Sequence, residues 1–358
     1  MKVLILAADC SSIRGGAPLR VHNWIQMIRP SAEVHFYPTA KKAAEKETLF
    51  TKIKRLWTYY KPDFTSLELK EKPDVVQIHN PYFWGLQKQF PNTPKIFVEH
   101  NVHWNFLKYD MASSPALKKL PLKSLWRPWF LWRAREFEKK ALAEAAHVFV
   151  CSENDKKEIV KQLPGVGDKI TVIPNCVDLS RYRADSTPGD SVLFMGPLSY
   201  SANVDAVDTI CTELAPRLPH LPFKILGKGS YDKPSPENVE FLGFVEDVIP
   251  YLQKARLFIV PLRMGSGTRW KILEAFACGR PVLSTSKGAE GLEVTHKKNI
   301  WIEDDWEKFA RAIERFWGDP EQAARMGREG RKLVEEKYDY KKYQNAVLEV
   351  YQNAIQKN

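Results

Sequence analysis

The sequence predicts an α/β protein of two Rossmann-like, doubly wound domains, and three observations carry that prediction. The chain is 358 residues long, more than one ordinary core accommodates and enough for two domains of about 170 residues each. Short apolar runs alternate with amphipathic stretches, the pattern of βαβ units around a parallel sheet. That rhythm stops once, in a turn-rich stretch at 178–190 containing Ser186, Pro188 and Gly189, and then begins again.

In the first series, residues 3–7 read as a buried strand. Residues 17–27 read as a helix with Pro18 in its first turn, where a missing N–H breaks no hydrogen bond. Further strands are expected at 34–37, 75–78, 96–99, 147–151 and 170–173. After the linker come a strand at 192–195, a helix at 203–214, strands at 223–226, 239–241, 257–260 and 281–284, and long helices across 304–355. The domains are placed at 1–180 and 181–339. Sheets of this kind bind ligands at the carboxyl ends of their strands, so the site is expected in a central cleft that both domains face.

Composition narrows the classes of function. Hydrophobic residues make up 44% of the chain and aromatics 12%, ample for two packed cores, so disorder is not the default expectation. The net charge of +11 is uneven: residues 1–180 carry +10 and residues 181–358 carry +1. The first half is therefore expected to face an anionic partner, whether nucleic acid, a membrane surface or a phosphorylated substrate. Cys10, Cys151, Cys176, Cys211 and Cys278 show no CxxC and no zinc-type spacing, which reads as free thiols in a reducing cytosol. The apolar run at the start is too short for a signal peptide and ends at Asp9. No stretch reaches the roughly 18 apolar residues that a membrane span needs, so a cytoplasmic location is expected.

One segment departs from the α/β pattern. Between 117 and 140, Trp126, Trp129, Phe130 and Trp132 are mixed with Lys118, Lys119, Lys123, Arg127, Arg133 and Arg135. A second basic-aromatic stretch runs through Lys52, Lys54, Arg55, Trp57, Tyr59 and Tyr60. Such segments lie at membrane interfaces, with rings at the headgroup boundary and cations on anionic lipid. They are equally the mark of a helix with one face in the core and a solvated basic side.

The most informative stretch is Gly265-Ser266-Gly267-Thr268-Arg269-Trp270-Lys271-Ile272-Leu273-Glu274, which follows a strand ending at Pro261. Gly265 and Gly267 permit unusual backbone angles and close approach of a ligand. A helix starting near Thr268 presents free N–H groups and partial positive charge to a phosphate. Arg269 and Lys271 add full charges. Glu274, about two turns in, can accept from two vicinal hydroxyls such as those of a ribose.

That string, with Ser284-Thr285-Ser286-Lys287-Gly288-Ala289-Glu290-Gly291-Leu292, resembles the donor-site segment of the family 4 glycosyltransferases of the GT-B fold. The resemblance extends over nearly the whole chain. It includes Gly15-Gly16 after the first strand, Glu99-His100-Asn101, Ile173-Pro174-Asn175-Cys176-Val177-Asp178, Phe194-Met195-Gly196-Pro197-Leu198 and Leu242-Gly243-Phe244-Val245-Glu246-Asp247. It implies a retaining enzyme that transfers a sugar from a nucleoside-diphosphate sugar of UDP or GDP type without a metal. The 1–180 domain would bind the acceptor, with the helix at 340–358 packing back on it, and 181–339 would bind the donor. Glu274 would hold the donor ribose. Gly265, Ser266, Gly267 and Thr268 would bring amides to the sugar and diphosphate. Gly15 and Gly16 would approach the phosphates or the acceptor, and His100 would lie near the transferred sugar.

Two features depart from the family pattern. Ser266 stands where the first glutamate of the E-x7-E motif belongs, and the usual Arg and Lys near the first strand of the second domain are replaced around Pro197 and Ser199-Tyr200-Ser201. Arg269 and Lys271 thereby become the expected phosphate partners. His79, His103 and Asp110 also fall on expected loops of the first half, without a feature that ranks them above structural residues. No His, Asp or Glu spacing suggests a metal cage. The expected acceptor is lipid-linked, in surface-polysaccharide or glycan assembly, with Trp126, Trp129 and Trp132 contacting the inner face of the cell membrane; nucleic acid is not an expected partner. The alternative is a non-catalytic protein of the same shape that binds a sugar nucleotide or a partner. A nicotinamide enzyme is disfavoured, because Ser11-Ser12-Ile13-Arg14-Gly15-Gly16 is not G-x-G-x-x-G and Asp232 stands where Gly227-Lys228-Gly229 needs its third glycine.

Overall fold

The structure, a computed structural model, describes residues 1–7, 16–38, 71–105, 123–185, 187–265, 267 and 269–358. It comprises two compact units, Met1–Pro174 with Tyr340–Asn358, and Asn175–Asp339. The chain enters the second unit at Asn175, before the turn-rich stretch begins. The cause is a pair of ties to that unit: the Val177 N–H donates to the Tyr338 carbonyl at 2.8 Å, and Val177 bridges Asp339.

The first unit contains β1 (Lys2–Ala7), α1 (Gly16–Ile28), β2 (Glu33–Pro38), β3 (Val75–His79), β4 (Lys95–Val98), α2 (Lys123–Glu144), β5 (His147–Val150), α3 (Glu153–Gln162) and β6 (Ile170–Val172). Its strands pair in parallel in the order β2-β1-β3-β4-β5-β6. A parallel sheet covered on both faces needs continuous apolar strands. Here Leu4, Leu6, Val76, Ile78 and Phe97 pack on one side with Trp84 and Leu142. Val3, Ile5, Val75, Val98 and Phe149 pack on the other with Trp24 and Ile28 of α1. Ser152 caps α3 by accepting from the Asp155 N–H at 3.1 Å, satisfying a donor that the helix start leaves open.

The second unit contains β7 (Ser191–Met195), α4 (Ser201–Thr209), β8 (Phe223–Leu226), β9 (Val239–Gly243), α5 (Ile249–Lys254), β10 (Ala255–Val260), α6 (Trp270–Ala277), β11 (Val282–Ser284), β12 (Trp301–Ile302), α7 (Trp306–Gly318) and α8 (Pro320–Lys337). The order β12-β11-β10-β7-β8-β9 is again all parallel. It reverses direction between β7 and β10, which makes their carboxyl ends a topological switch point. The helix expected to run to 214 is α-helical only to Thr209 and continues as a π turn over Ile210–Leu214.

The last helix, α9 (Gln344–Gln356), belongs to the first unit. Val347 and Tyr351 enter the core beside Trp24, and the Trp24 indole donates to the Tyr351 hydroxyl at 2.9 Å.

Candidate functional site

At the switch point of the second unit, β10 ends at Val260 and the chain turns through the glycine segment into α6. Gly265 has φ 113°, and a Cβ there would stand 2.9 Å from the Tyr200 hydroxyl and 3.0 Å from the Arg269 guanidinium, so no side chain fits. Gly267 has φ 78°, likewise left-handed backbone that glycine adopts freely. Arg269 occupies the N-cap and the helix begins at Trp270, later than expected. Glu274 is correspondingly little more than one turn from the start, not two. Ser266 and Thr268 lie outside the described residues.

The helix start is cationic. Arg269 is 7% exposed and donates to the Gly267 carbonyl at 2.6 Å. Lys271 Nζ donates to Asn203 Oδ1 at 2.9 Å and stands 4.5 Å from the Phe194 ring centroid. Burial, and then the Arg269 charge, bring the Lys271 ammonium down to about 7. Its i+3 neighbour Glu274 shares that face of the helix. Glu274 Oε1 accepts from the Tyr182 hydroxyl at 3.0 Å. Burial pushes the Glu274 carboxyl up to about 7, while Tyr182, Arg181 and Lys271 pull it down. Both side chains are half-buried, ringed by protein yet open to a ligand. Two cations at a helix start can hold an anion of two charges, and the carboxylate beyond them can accept from a diol.

The segment after β11 braces this loop. Ser284 Oγ donates to the Val260 carbonyl at 3.3 Å, Thr285 Oγ1 donates to the Leu262 carbonyl, and the Gly288 N–H donates to Thr285 Oγ1 at 2.8 Å.

In the first unit, β3 ends at His79 and the chain leaving β4 carries Glu99 and His100. His79 Nδ1 and His100 Nε2 are hydrogen-bonded at 3.0 Å. Burial, and next the Arg20 charge, lower His100 to about 3. His79 is also held well below the usual imidazole range, by burial and then by His100. The Cys151 thiol donates to the His100 carbonyl at 3.1 Å, fixing the backbone there. Glu138 of α2 accepts from the N–H groups of His103 and Trp104 at 2.8 and 2.9 Å. Burial raises both Glu138 and its neighbour Glu99 above the usual carboxyl range. Gly16 opens α1 and so is helical, not part of a loop. Gly15 and Asp110 lie outside the described residues.

On α2, Phe130, Ala134 and Leu142 face the core, whereas Trp129 and Trp132 are 40% and 59% exposed, with Arg133 over the Trp129 ring at 5.6 Å. The Trp126 side chain and the 52–60 stretch lie outside the described residues. Among the described residues, no helix is long and apolar enough to cross a membrane, no group of three His, Cys, Asp or Glu could hold a metal ion, and Cys151, Cys176, Cys211 and Cys278 are free thiols. Cys10 lies outside them.

Sequence reasoning missed Tyr182, Asn203 and Phe194, which hold the charged pair on α6, and Gln77 and Tyr351, which stand behind His79. The contacts of Tyr182, Asn203 and Tyr351 span long separations and leave no local pattern. Gln77 lies two residues before His79 on β3, an i,i+2 spacing on one face of the strand that could have pointed to it.

Two sequence families match the chain: "Glycosyltransferase Family 4" over residues 21–181 and "Glycosyl transferases group 1" over residues 189–319. A comparison with curated proteins gives no match. Among solved structures, the chain is similar to sucrose-phosphate synthase from Thermosynechococcus elongatus, at 16% identity and TM-score 0.69 over 100% of both chains. It is similar to Anabaena HepE in complex with UDP-glucose, at 15% identity and TM-score 0.67 over 99% of this chain and 100% of that one. A glycosyltransferase from Rickettsia africae ESF-5 matches at 14% identity and TM-score 0.64, over 100% of this chain and 99% of that one.

Proposed function

Because this chain belongs to the family 4 glycosyltransferases and has their GT-B fold, we propose that it is a retaining enzyme that moves a sugar from a nucleoside-diphosphate sugar to an acceptor hydroxyl. The observation that carries this reading is the Arg269, Lys271 and Glu274 set on one short helix start, at the switch point of a Rossmann-type sheet. Arg269, Lys271 and the amides of the glycine turn meet the charge that develops on the leaving diphosphate. Glu274 accepts from the ribose hydroxyls, and His100 hydrogen-bonds an oxygen of the transferred sugar. The acceptor oxygen bonds to the anomeric carbon on the face that the diphosphate leaves, as the family implies. The bond from that carbon to the phosphate oxygen breaks, and the acceptor proton passes to the departing diphosphate.

HepE was solved with UDP-glucose, so UDP-sugars are the first donors to try. The acceptor is lipid-linked, in surface-polysaccharide or glycan assembly. This is supported by the basic first half and the exposed Trp129 and Trp132, which suit peripheral attachment to the inner face of an anionic membrane. Release of free UDP, GDP or ADP from a panel of sugar nucleotides, with and without a lipid-linked acceptor, tests the reading. A donor that binds and raises the melting temperature but is never cleaved, with any acceptor, makes the chain a binding protein instead.

A further inference from the structure

Behind His100 lies a line of four buried side chains, Trp24, Tyr351, Gln77 and His79, and its hydrogen bonds run in one direction only. The Trp24 indole nitrogen can only donate, and it donates to the Tyr351 oxygen at 2.9 Å. Tyr351 therefore spends its single hydrogen on Gln77 Oε1. The other end of that amide, Nε2, faces His79 Nε2. An amide NH2 has no lone pair to offer, so His79 accepts there and carries its proton on Nδ1. That proton is donated to His100 Nε2 at 3.0 Å, which leaves the proton of a neutral His100 on Nδ1. Reversing the Gln77 amide would direct two N–H donors at the Tyr351 oxygen and leave its hydrogen without an acceptor in a dry core, which is costly.

We propose that Tyr351, Gln77 and His79 are positioning residues that lock His100 in the Nδ1–H tautomer, so that His100 meets its substrate as a hydrogen-bond donor and not as a general base. The low basicity of His79 and His100 keeps one proton on each ring, as the chain requires. The substrate part rests on the reading that His100 contacts the transferred sugar; the tautomer part does not.

The test is histidine 15N NMR on the full-length protein, which distinguishes the two neutral tautomers. The chain has 8 histidines, and the His100 signals are those lost in His100→Gln. The wild type is expected to show Nδ1–H at His100. Gln77→Glu puts a carboxylate between Tyr351 and His79 that accepts from both, so both imidazoles should reverse to Nε2–H. Turnover should then fall about tenfold or more, with a smaller change in the donor KM. A wild-type His100 protonated on Nε2, or a His100 tautomer that Gln77→Glu leaves unchanged, overturns the relay. A reversed tautomer with undiminished turnover upholds the relay and removes His100 from the reaction. If Gln77→Glu does not fold, Tyr351→Phe keeps the ring and deletes only the hydroxyl. It frees the amide to turn, so a mixture of tautomers is expected, and pure Nδ1–H in that variant overturns the proposal.

Discussion

The Tyr182 hydroxyl donates to Glu274 Oε1 at 3.0 Å, across 92 positions of sequence. Glu274 is buried enough that its carboxyl is pushed up to about 7, so this bond helps to keep it ionised for a diol. Glu274→Ala should weaken donor binding by roughly 1.5–3 kcal/mol, the worth of a hydrogen bond to a charged group, with the fold intact by circular dichroism. Tyr182→Phe should raise the donor KM by a smaller factor and shift its acid limb to higher pH. Unchanged donor affinity in Glu274→Ala removes this carboxylate from the site.

The pH dependence of kcat/KM for the donor should be a narrow bell centred near pH 7. Glu274 must be ionised to accept and Lys271 charged to meet phosphate, and each titrates at about 7 in the free protein. The rate falls below that pH as Glu274 protonates and above it as Lys271 loses its proton. Lys271→Arg keeps its charge, so its profile should level off on the alkaline side. An alkaline limb that survives the substitution belongs to another group.

Divalent metal should be dispensable. In this reading Arg269, Lys271 and the turn amides meet the diphosphate charge, leaving no step for an ion to carry. Activity measured in excess EDTA should match that in Mg²⁺ or Mn²⁺. Loss in EDTA restored by either ion would assign part of the charge neutralisation to a metal.

Attachment to anionic liposomes should rise with the anionic lipid fraction and weaken with salt, since each basic residue near such a leaflet contributes about 1 kcal/mol. Trp129→Ala with Trp132→Ala removes the exposed rings of α2 and should reduce co-sedimentation severalfold while sparing nucleotide binding. Wild-type protein that ignores anionic liposomes at low salt would mean that the basic half serves a soluble anion.

The stability of the first unit should peak near pH 6.5. His79, His100, His103 and His147 are all held below their ordinary value of 6.5, to about 3 for His100 and His103 and about 4 for His147. Only the unfolded chain protonates them as pH falls below 6.5. Glu99 and Glu138 are raised above 4.5, so between 4.5 and their folded values only the folded chain keeps them protonated. Between 4.5 and 6.5 the four imidazoles outweigh the two carboxyls, and stability falls with falling pH by about 1.4 kcal/mol per unit for each net proton. Just above 6.5 the carboxyls dominate and stability declines again, while the lowered Lys95 and Lys169 oppose that decline at more alkaline pH. Hydrogen exchange of the β3 and β4 amides across this range checks both slopes; a monotonic rise through pH 8 contradicts the second.

The fold was legible because both sheets are built from apolar runs that period and punctuation reveal, and the donor loop because Gly265 and Gly267 precede a helix with Arg269, Lys271 and Glu274 in order. The α6 start was read early, since nothing in Thr268-Arg269 says which residue caps the helix. The exposed face of α2 is ambiguous in sequence because Phe130 and Trp129 are adjacent, yet Phe130 is buried and Trp129 exposed. The supports of the charged groups were invisible: Tyr182, Asn203 and Tyr351 reach their partners through topology, and no spacing encodes that.

The excursion of α9 back to the first unit has a consequence for biosynthesis. The core that takes Val347 and Tyr351 beside Trp24 is built from residues translated before the second unit, but α9 is translated after it. All of Asn175–Asp339 is synthesised in between. While the ribosome makes the second unit, the nascent first unit presents an unfilled apolar groove and a Trp24 indole lacking its acceptor. Apolar surface left open over that interval is of the kind that chaperones cover.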